Sequence, residues 1–328
     1  MKKILGRLFE HKKLTRQEAK EILVNISKNE YNESQIAAFM TVYLMRAISV
    51  DELQGFRDAL LELCLPVDLE GRNTIDLCGT GGDGKNTFNI STLSSFIVAG
   101  AGYQVSKHGN YGVSSACGSS NVLEHLGYQF TNDVDVLKKQ LDDCNICFFH
   151  APLFHPAMKA VAPIRRQLGI KTFFNMLGPL VNPGKPKNQL VGVFNLELAR
   201  LYHYLFQQTE KKFTIIHALD GYDEISLTGP FKVKTKETER LLLPKDIGRQ
   251  QLTPESLFGG DTVASAADIF MKILNAEGTM SQNEVVLANS GMAIQCMRPD
   301  LSLADCMEEA KESLLGKKAL QQLKRLVN

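Results

Sequence analysis

Residues 74–92 carry the densest chemistry in this chain. A short apolar run from Ile75 to Cys78 feeds into four glycines, Gly79, Gly81, Gly82 and Gly84. Glycines at a strand's end let backbone N–H groups close on an anion, and a following helix start adds partial positive charge. The stretch therefore reads as a cradle for a phosphorylated ligand. Two nucleotide motifs overlap it, and both fail. Gly79-x-Gly81-x-x-Gly84 has the spacing of a dinucleotide fingerprint, but Lys85, Asn86 and Thr87 continue as loop, and no acid follows the next strand to hold a ribose. Gly79-x4-Gly84-Lys85 has the outline of a P-loop, but Asn86 stands where a magnesium-binding Ser or Thr belongs.

Four further segments offer matching chemistry. Asn89, Ser91 and Thr92 put an amide and two hydroxyls before a helix, where both helix caps and phosphate ligands are found. Lys107-His108-Gly109-Asn110 sets a cation, an imidazole and an amide after a strand, with a glycine that permits close backbone approach. Ser114 to Asn121 is a second small-residue loop opening a helix. Asp223 and Glu224 lie on a turn after a strand; such acids are ordinarily solvated, and beside a phosphate site they also suit Mg²⁺. His155 and Arg165 lie ten residues apart, near three turns of a single helix, and facing one way they would grip a carboxylate. A lone histidine is more often structural, and Arg166 is expected in solvent.

These residues need a scaffold, and the pattern supplies one. Residues 1–66 read as helices alone, opened by capping boxes at Thr15/Glu18, Asn32/Gln35 and Ser49/Glu52. The run from Ile36 to Met45 is too apolar all round for a solvated helix, so it is expected to pack against more than one neighbour, one candidate being a second copy of the chain. From residue 72 to 328, short strands alternate with helices. Strands are expected at 75–78, 104–106, 146–149, 190–194, 213–218 and 285–288, with an antiparallel excursion over 228–243. The expected fold class is α/β: a small all-helical domain plus a large domain with a mainly parallel sheet flanked by helices. Residues 156–186 are helical and apolar again, and part of them is expected to rejoin the first domain.

Composition excludes several classes. The net charge is +1, from 37 basic and 36 acidic residues, which leaves no electrostatic footprint for nucleic acid. Seven cysteines in 328 residues do not form a disulfide framework, and Cys144 and Cys147 read as packed thiols. Neither a signal peptide nor a membrane span is legible, so the expected setting is the cytoplasm, away from any membrane.

The ordered set Asp76–Asp83, Asn89-x-Ser91-Thr92, Lys107–Asn110, His155–Lys159, Asn175-x-Leu177-Gly178-Pro179-Leu180-x-Asn182-Pro183 and Asp223-Glu224 resembles the anthranilate phosphoribosyltransferases over essentially the whole chain. The resemblance implies a Mg²⁺-dependent homodimer of nucleoside phosphorylase-like architecture, joined through its helical domain. It implies transfer of the phosphoribosyl group of 5-phosphoribosyl-1-pyrophosphate to the amine of anthranilate, with release of pyrophosphate, in tryptophan synthesis. Carried over by motif, Gly79, Gly82, Asp83, Thr87, Asn89, Ser91, Thr92, Lys107 and Ser119 would hold the donor. Gly79, Asn110, His155, Arg165 and Gly178 would line the anthranilate path, and Ser91, Asp223 and Glu224 would serve Mg²⁺. No catalytic nucleophile or base is implied. Tyr111 stands where the family commonly has Arg, and Ala116-Cys117-Gly118-Ser119-Ser120-Asn121 replaces its Lys-Ser-Gly-Ser-Ala-Asp. Two cations and an acid are thereby absent from one loop. The alternatives are a pyrimidine nucleoside phosphorylase and a noncatalytic nucleic-acid-binding relative of the same fold.

Overall fold

The computed structural model describes residues 1–112 and 117–328. Ser114, Ser115 and Ala116 of the second small-residue loop lie outside the described residues. The chain divides into two compact units, Met1–Val67 with Ala151–Pro183, and Asp68–His150 with Gly184–Asn328.

The first unit is helical: α1 (Lys2–Phe9), α2 (Arg16–Ser27), α3 (Glu33–Met45) and α4 (Val50–Leu63), joined by the short helices α8 (Ala151–Phe154) and α9 (Ala162–Leu168). All three expected capping boxes form, with Thr15, Asn32 and Ser49 each accepting from the backbone N–H three residues on. Each satisfies two orphan N–H groups at a helix start. The core is aromatic. Phe56 stacks on Phe173 with centroids 4.5 Å apart, and Phe39 and Tyr43 meet both rings edge-on. Glu52, fully buried, ties the bundle together: it accepts from Arg46 at 2.5 Å and from the Leu14 and Ser49 N–H groups at 3.0 and 2.9 Å.

The second unit is a sheet in the order β3-β2-β1-β4-β5-β6-β7. Its strands are β1 (Ile75–Gly79), β2 (Val105–Gly109), β3 (Ile146–His150), β4 (Asn188–Gly192), β5 (Lys212–Ala218), β6 (Phe231–Lys234) and β7 (Glu239–Leu242). The pairings from β3 through β5 are parallel, while β6 and β7 run antiparallel at one edge. The helices are α5 (Ile90–Gly100), α6 (Ser119–His125), α7 (Val134–Cys144), α10 (Leu196–Gln207), α11 (Val263–Leu274), α12 (Met280–Met297), α13 (Leu303–Leu315) and α14 (Lys318–Val327). Period-2 alternation divides the strand side chains. Ile75, Leu77, Ile216 and Ala218 enter a core shared with α5 and α12, while Phe213 packs against Phe206 of α10.

Three expectations are corrected. Residues 285–288 are not a strand but the middle of α12, whose capping box opens at Thr279 and Gln282. A run of four apolar residues has no period long enough to separate a buried helix from a strand. The strand expected at 104–106 extends to Gly109, so Lys107 lies in β2 and not in the loop beyond it. Residues 155–168 are not one helix: a 3-10 turn at Pro156–Ala160 precedes α9, so the three-turn argument joining His155 to Arg165 does not hold. Pro156 and Pro163 interrupt the backbone hydrogen-bond ladder there.

Candidate active site

The strand order reverses at the β1/β4 boundary, the place where open parallel sheets collect ligands at their carboxyl ends. Gly79 ends β1 and is paired in register with Gly192, which ends β4. A Cβ at Gly79 would collide with the Asp223 carboxylate, and one at Gly192 would collide with the Asp223 backbone carbonyl. Both strand ends are thus bare so that the acidic turn after β5 can lie across them.

The glycine loop follows. Gly81, Gly82 and Gly84 all have positive φ, a region that side chains with a Cβ rarely adopt. The Gly81 N–H donates to Asp223 Oδ2 at 2.7 Å. Asp83 accepts from the Lys85 N–H at 3.0 Å, which folds the loop back on itself. Thr87 forms an isolated bridge with Phe258, and Asn89 Nδ2 donates to the Cys117 carbonyl at 3.0 Å. Asn89 stands at the N-cap of α5 without capping it through its side chain, which leaves Ser91 and Thr92 in the first turn.

Asp83, Asp223 and Glu224 converge, each offering an oxygen within 4.8 Å of the others'. Burial, then the neighbouring Asp83 carboxylate, raises Asp223 above the usual carboxylate range. Burial followed by the Asp223 and Asp83 charges raises Glu224 further. Glu224 Oε2 is buried with no hydrogen-bond partner. Three crowded acids with an unpartnered oxygen fit a divalent cation, which relieves both the repulsion and the missing contact. Ser91, Asp223 and Glu224 line one cavity of about 10 Å³, room for a single water.

Lys107 is almost fully buried beneath this cluster. Its ammonium donates to the Leu77 carbonyl and, at 3.4 Å, to Ser91 Oγ. Burial lowers its pKa, opposed by the Asp76, Cys78 and Glu224 charges. A charge held there acts through Ser91 and the field beneath the acids. Beside it, Ser119 Oγ donates to the Asn110 carbonyl at 3.2 Å. Asn121 Oδ1 accepts from the Gly112 and Gly118 N–H groups at 2.9 and 3.0 Å, bringing the ends of the second small-residue loop together. Tyr111 packs edge-on to His150 with centroids 4.9 Å apart and donates to Glu124. Tyr111, where the family commonly has Arg, and Asn121, where it has Asp, thus make hydrogen bonds of their own on either side of residues 113–116.

The first unit carries the other expected residues. Arg165 Nη2 donates to Asn175 Oδ1 at 3.3 Å, and its guanidinium lies over the Phe174 ring. Arg165 is thereby brought to the segment that contains Gly178, which opens a 3-10 turn. Arg166 is exposed, as expected. His155 is buried at the N-cap of its own 3-10 turn.

Comparison with known proteins agrees with this architecture. Residues 71–320 match the model of the glycosyl transferase family a/b domain, and residues 2–64 match that of its helical bundle domain. The chain is 61% identical to the anthranilate phosphoribosyltransferase of Flavobacterium psychrophilum, covering 99% of this chain and 98% of that one. The chain belongs to the anthranilate phosphoribosyltransferase family. A second family member, from Bacteroides thetaiotaomicron, is 54% identical over 100% of this chain and 98% of its own. The crystal structure of the anthranilate phosphoribosyltransferase from Thermus thermophilus superposes with a TM-score of 0.91 at 29% identity, covering 98% of each chain. That of the Saccharomyces cerevisiae enzyme in complex with PRPP and Mg superposes with a TM-score of 0.90 at 25% identity, covering 98% of this chain and 95% of that one. Sequence reasoning for this family member missed Gly192 and Asn289, which contact the acidic turn. Asn289 lay beside residues misread as a strand; an amide inside an apolar run was the available signal.

Proposed function

We propose that this chain transfers the phosphoribosyl group of 5-phosphoribosyl-1-pyrophosphate to the amine of anthranilate and releases pyrophosphate, within tryptophan synthesis. The observation that carries this is the acid cluster at the strand switch, directly beside a glycine loop whose backbone can accept an anion. Family membership supplies the acceptor. Mg²⁺ bound by Asp83, Asp223, Glu224 and Ser91 would neutralise charge on the departing pyrophosphate. For the donor we assign Gly79, Gly82, Thr87, Asn89, Thr92, Lys107 and Ser119 beside them. For anthranilate we assign Gly79, Asn110, His155, Arg165 and Gly178, carried over from the family motifs.

The amine of anthranilate keeps its lone pair at neutral pH and needs little activation; as its bond to the anomeric carbon forms and the bond to pyrophosphate breaks, one amine proton is released. The demanding event is separation of pyrophosphate from the anomeric carbon, with positive charge growing on the ribose. Preorganised N–H dipoles of the Gly79–Gly84 loop and of the α5 start meet the negative charge without reorganisation. Alignment of the amine supplies the remainder.

Exposed apolar residues on the helical unit, including Met45 at 85% and Phe9 at 63%, support a homodimer formed through this unit. Among the described residues no helix is long and apolar enough to cross a membrane; membership of a biosynthetic enzyme family supports a cytoplasmic setting. The function is tested by following loss of anthranilate fluorescence with donor and Mg²⁺ present. Consumption that requires all three components is expected, and none at any donor concentration would overturn the assignment. Sedimentation tests the dimer, which fails if the chain stays monomeric at micromolar concentration.

A further inference from the structure

Asn289 lies in the middle of α12, 3% exposed, far in sequence from every motif discussed above. Its carboxamide does not serve the helix alone. Nδ2 donates to the Ile225 carbonyl at 2.9 Å and to the Val285 carbonyl at 2.9 Å, while Oδ1 accepts from the Ile225 N–H at 3.1 Å. One planar amide therefore takes both polar groups of a residue on another element, as a partner strand would. The Val285 bond fixes its rotamer from the opposite side.

Ile225 directly follows Asp223 and Glu224. Its own side chain is fully buried, as is Leu227 two residues on. An apolar neighbourhood offers no water to replace a lost amide contact, and an unpaired buried peptide group is strongly disfavoured. Upstream the turn is held by the Gly81 N–H on Asp223 and by the Ala218 N–H on the Tyr222 carbonyl at 3.2 Å. Downstream Asn289 grips the peptide of Ile225, the residue next to Glu224, while Gln251 and Asp220 bind Thr228 three residues further on. Asn289 also lines the small cavity shared by Ser91, Asp223 and Glu224.

We infer that Asn289 is a positioning residue for the acidic turn, setting through the Ile225 peptide the direction in which Asp223 and Glu224 present their oxygens. Its own amide is committed to Ile225 and Val285, so no contact with substrate is assigned to it. Partners that orient a metal-binding carboxylate in this way govern affinity as well as structure. The inference rests on the reading that Asp223 and Glu224 hold Mg²⁺ beside pyrophosphate.

The test is Mg²⁺-dependent binding of inorganic pyrophosphate, measured by titration calorimetry on the full chain without turnover. Asn289→Ala removes all three bonds. Asn289→Leu does the same while filling the space, and serves if the alanine variant does not fold. Ser290→Ala alters the adjacent buried position, whose hydroxyl has no hydrogen-bond partner, and controls for general disturbance of α12. We expect Asn289→Ala and Asn289→Leu to weaken Mg²⁺-pyrophosphate binding by about 10- to 100-fold, with the KM for anthranilate unchanged. Ser290→Ala should bind like the parent chain. Parent-like binding by a folded Asn289 variant overturns the inference, as does equal weakening in Ser290→Ala. Failure of the parent chain to bind Mg²⁺-pyrophosphate, or parent-like binding by Glu224→Gln, overturns the reading of the site itself.

Discussion

Gly81 and Asp223, 142 residues apart, are joined by a hydrogen bond of 2.7 Å from the Gly81 N–H to Asp223 Oδ2. The anion loop and the acidic turn are therefore one unit of structure. A loop donor is spent on a carboxylate that offers an oxygen within 4.8 Å of those offered by Asp83 and Glu224. The two features that looked separate in sequence act together.

The paired glycines behind this unit give a first prediction. Gly192→Ala would drive a methyl group into the Asp223 backbone carbonyl, and the turn would have to move. A displacement of ångström scale at a reacting site lowers turnover by roughly 100-fold. We expect that loss in kcat, together with a fall in stability of about 1–3 kcal/mol, read by thermal unfolding. Unchanged kcat would show that the turn is free to shift without consequence.

Removing one acid should act on turnover more than on substrate affinity. Asp83→Asn or Glu224→Gln withdraws a charge from the cluster that a divalent cation compensates. Loss of one preorganised electrostatic partner lowers kcat by roughly 100-fold or more. The measurement is kcat against Mg²⁺ concentration at saturating donor, with the half-maximal Mg²⁺ concentration moving upward. Parent-like Mg²⁺ dependence in both variants would remove these residues from the metal site.

The loop that lacks the family's usual charges offers a third. Asn121→Ala frees the Gly112 and Gly118 N–H groups and opens the loop's base. Two hydrogen bonds, one exposed and one half-buried, are worth about 1–2 kcal/mol together, so the KM for the donor should rise by roughly 10-fold and the unfolding temperature should fall by at most a few degrees. Asn121→Asp retains the accepting oxygen and should stay close to the parent. Equal effects from both variants would mean that the accepting oxygen of residue 121 is not what braces this loop.

Glu52 governs the acid stability of the helical unit. Burial would raise its pKa, but the Arg46 hydrogen bond and the Leu14 and Ser49 N–H groups outweigh it and leave the folded value below the ordinary 4.5. A depressed acid stabilises the fold fully above its unfolded pKa, and that contribution disappears as pH falls through the folded value. Denaturant midpoints of the parent should therefore drop below about pH 4.5. Glu52→Gln should lose about 1–3 kcal/mol at pH 7 by withdrawing the charge that Arg46 and the Leu14 and Ser49 N–H groups bind, with a shallower acid slope than the parent. A parallel acid slope in both chains would exclude Glu52 as the titrating group.

Much was legible in the chain itself. The three capping boxes form because both partners lie within four residues, so local geometry alone decides them. Gly79 to Gly84 announced an anion loop because positive φ is available to glycine at little steric penalty. Ordered motifs through 223 and 224 identified the family. Strand limits and the identity of residues 285–288 were not legible, because a short apolar run fits either a strand or a buried helix until its neighbours are known. Lys107 carried its charge in plain view, yet its burial beneath Ser91 followed only from where β2 pairs in the sheet. The sequence by itself determined which residue types were present for phosphate and metal chemistry and which helices would start where. Only the tertiary structure decided that Gly192 makes room for Asp223 and that Asn289 holds Ile225, since through-space contacts over 31 and 64 residues leave no local periodicity to read.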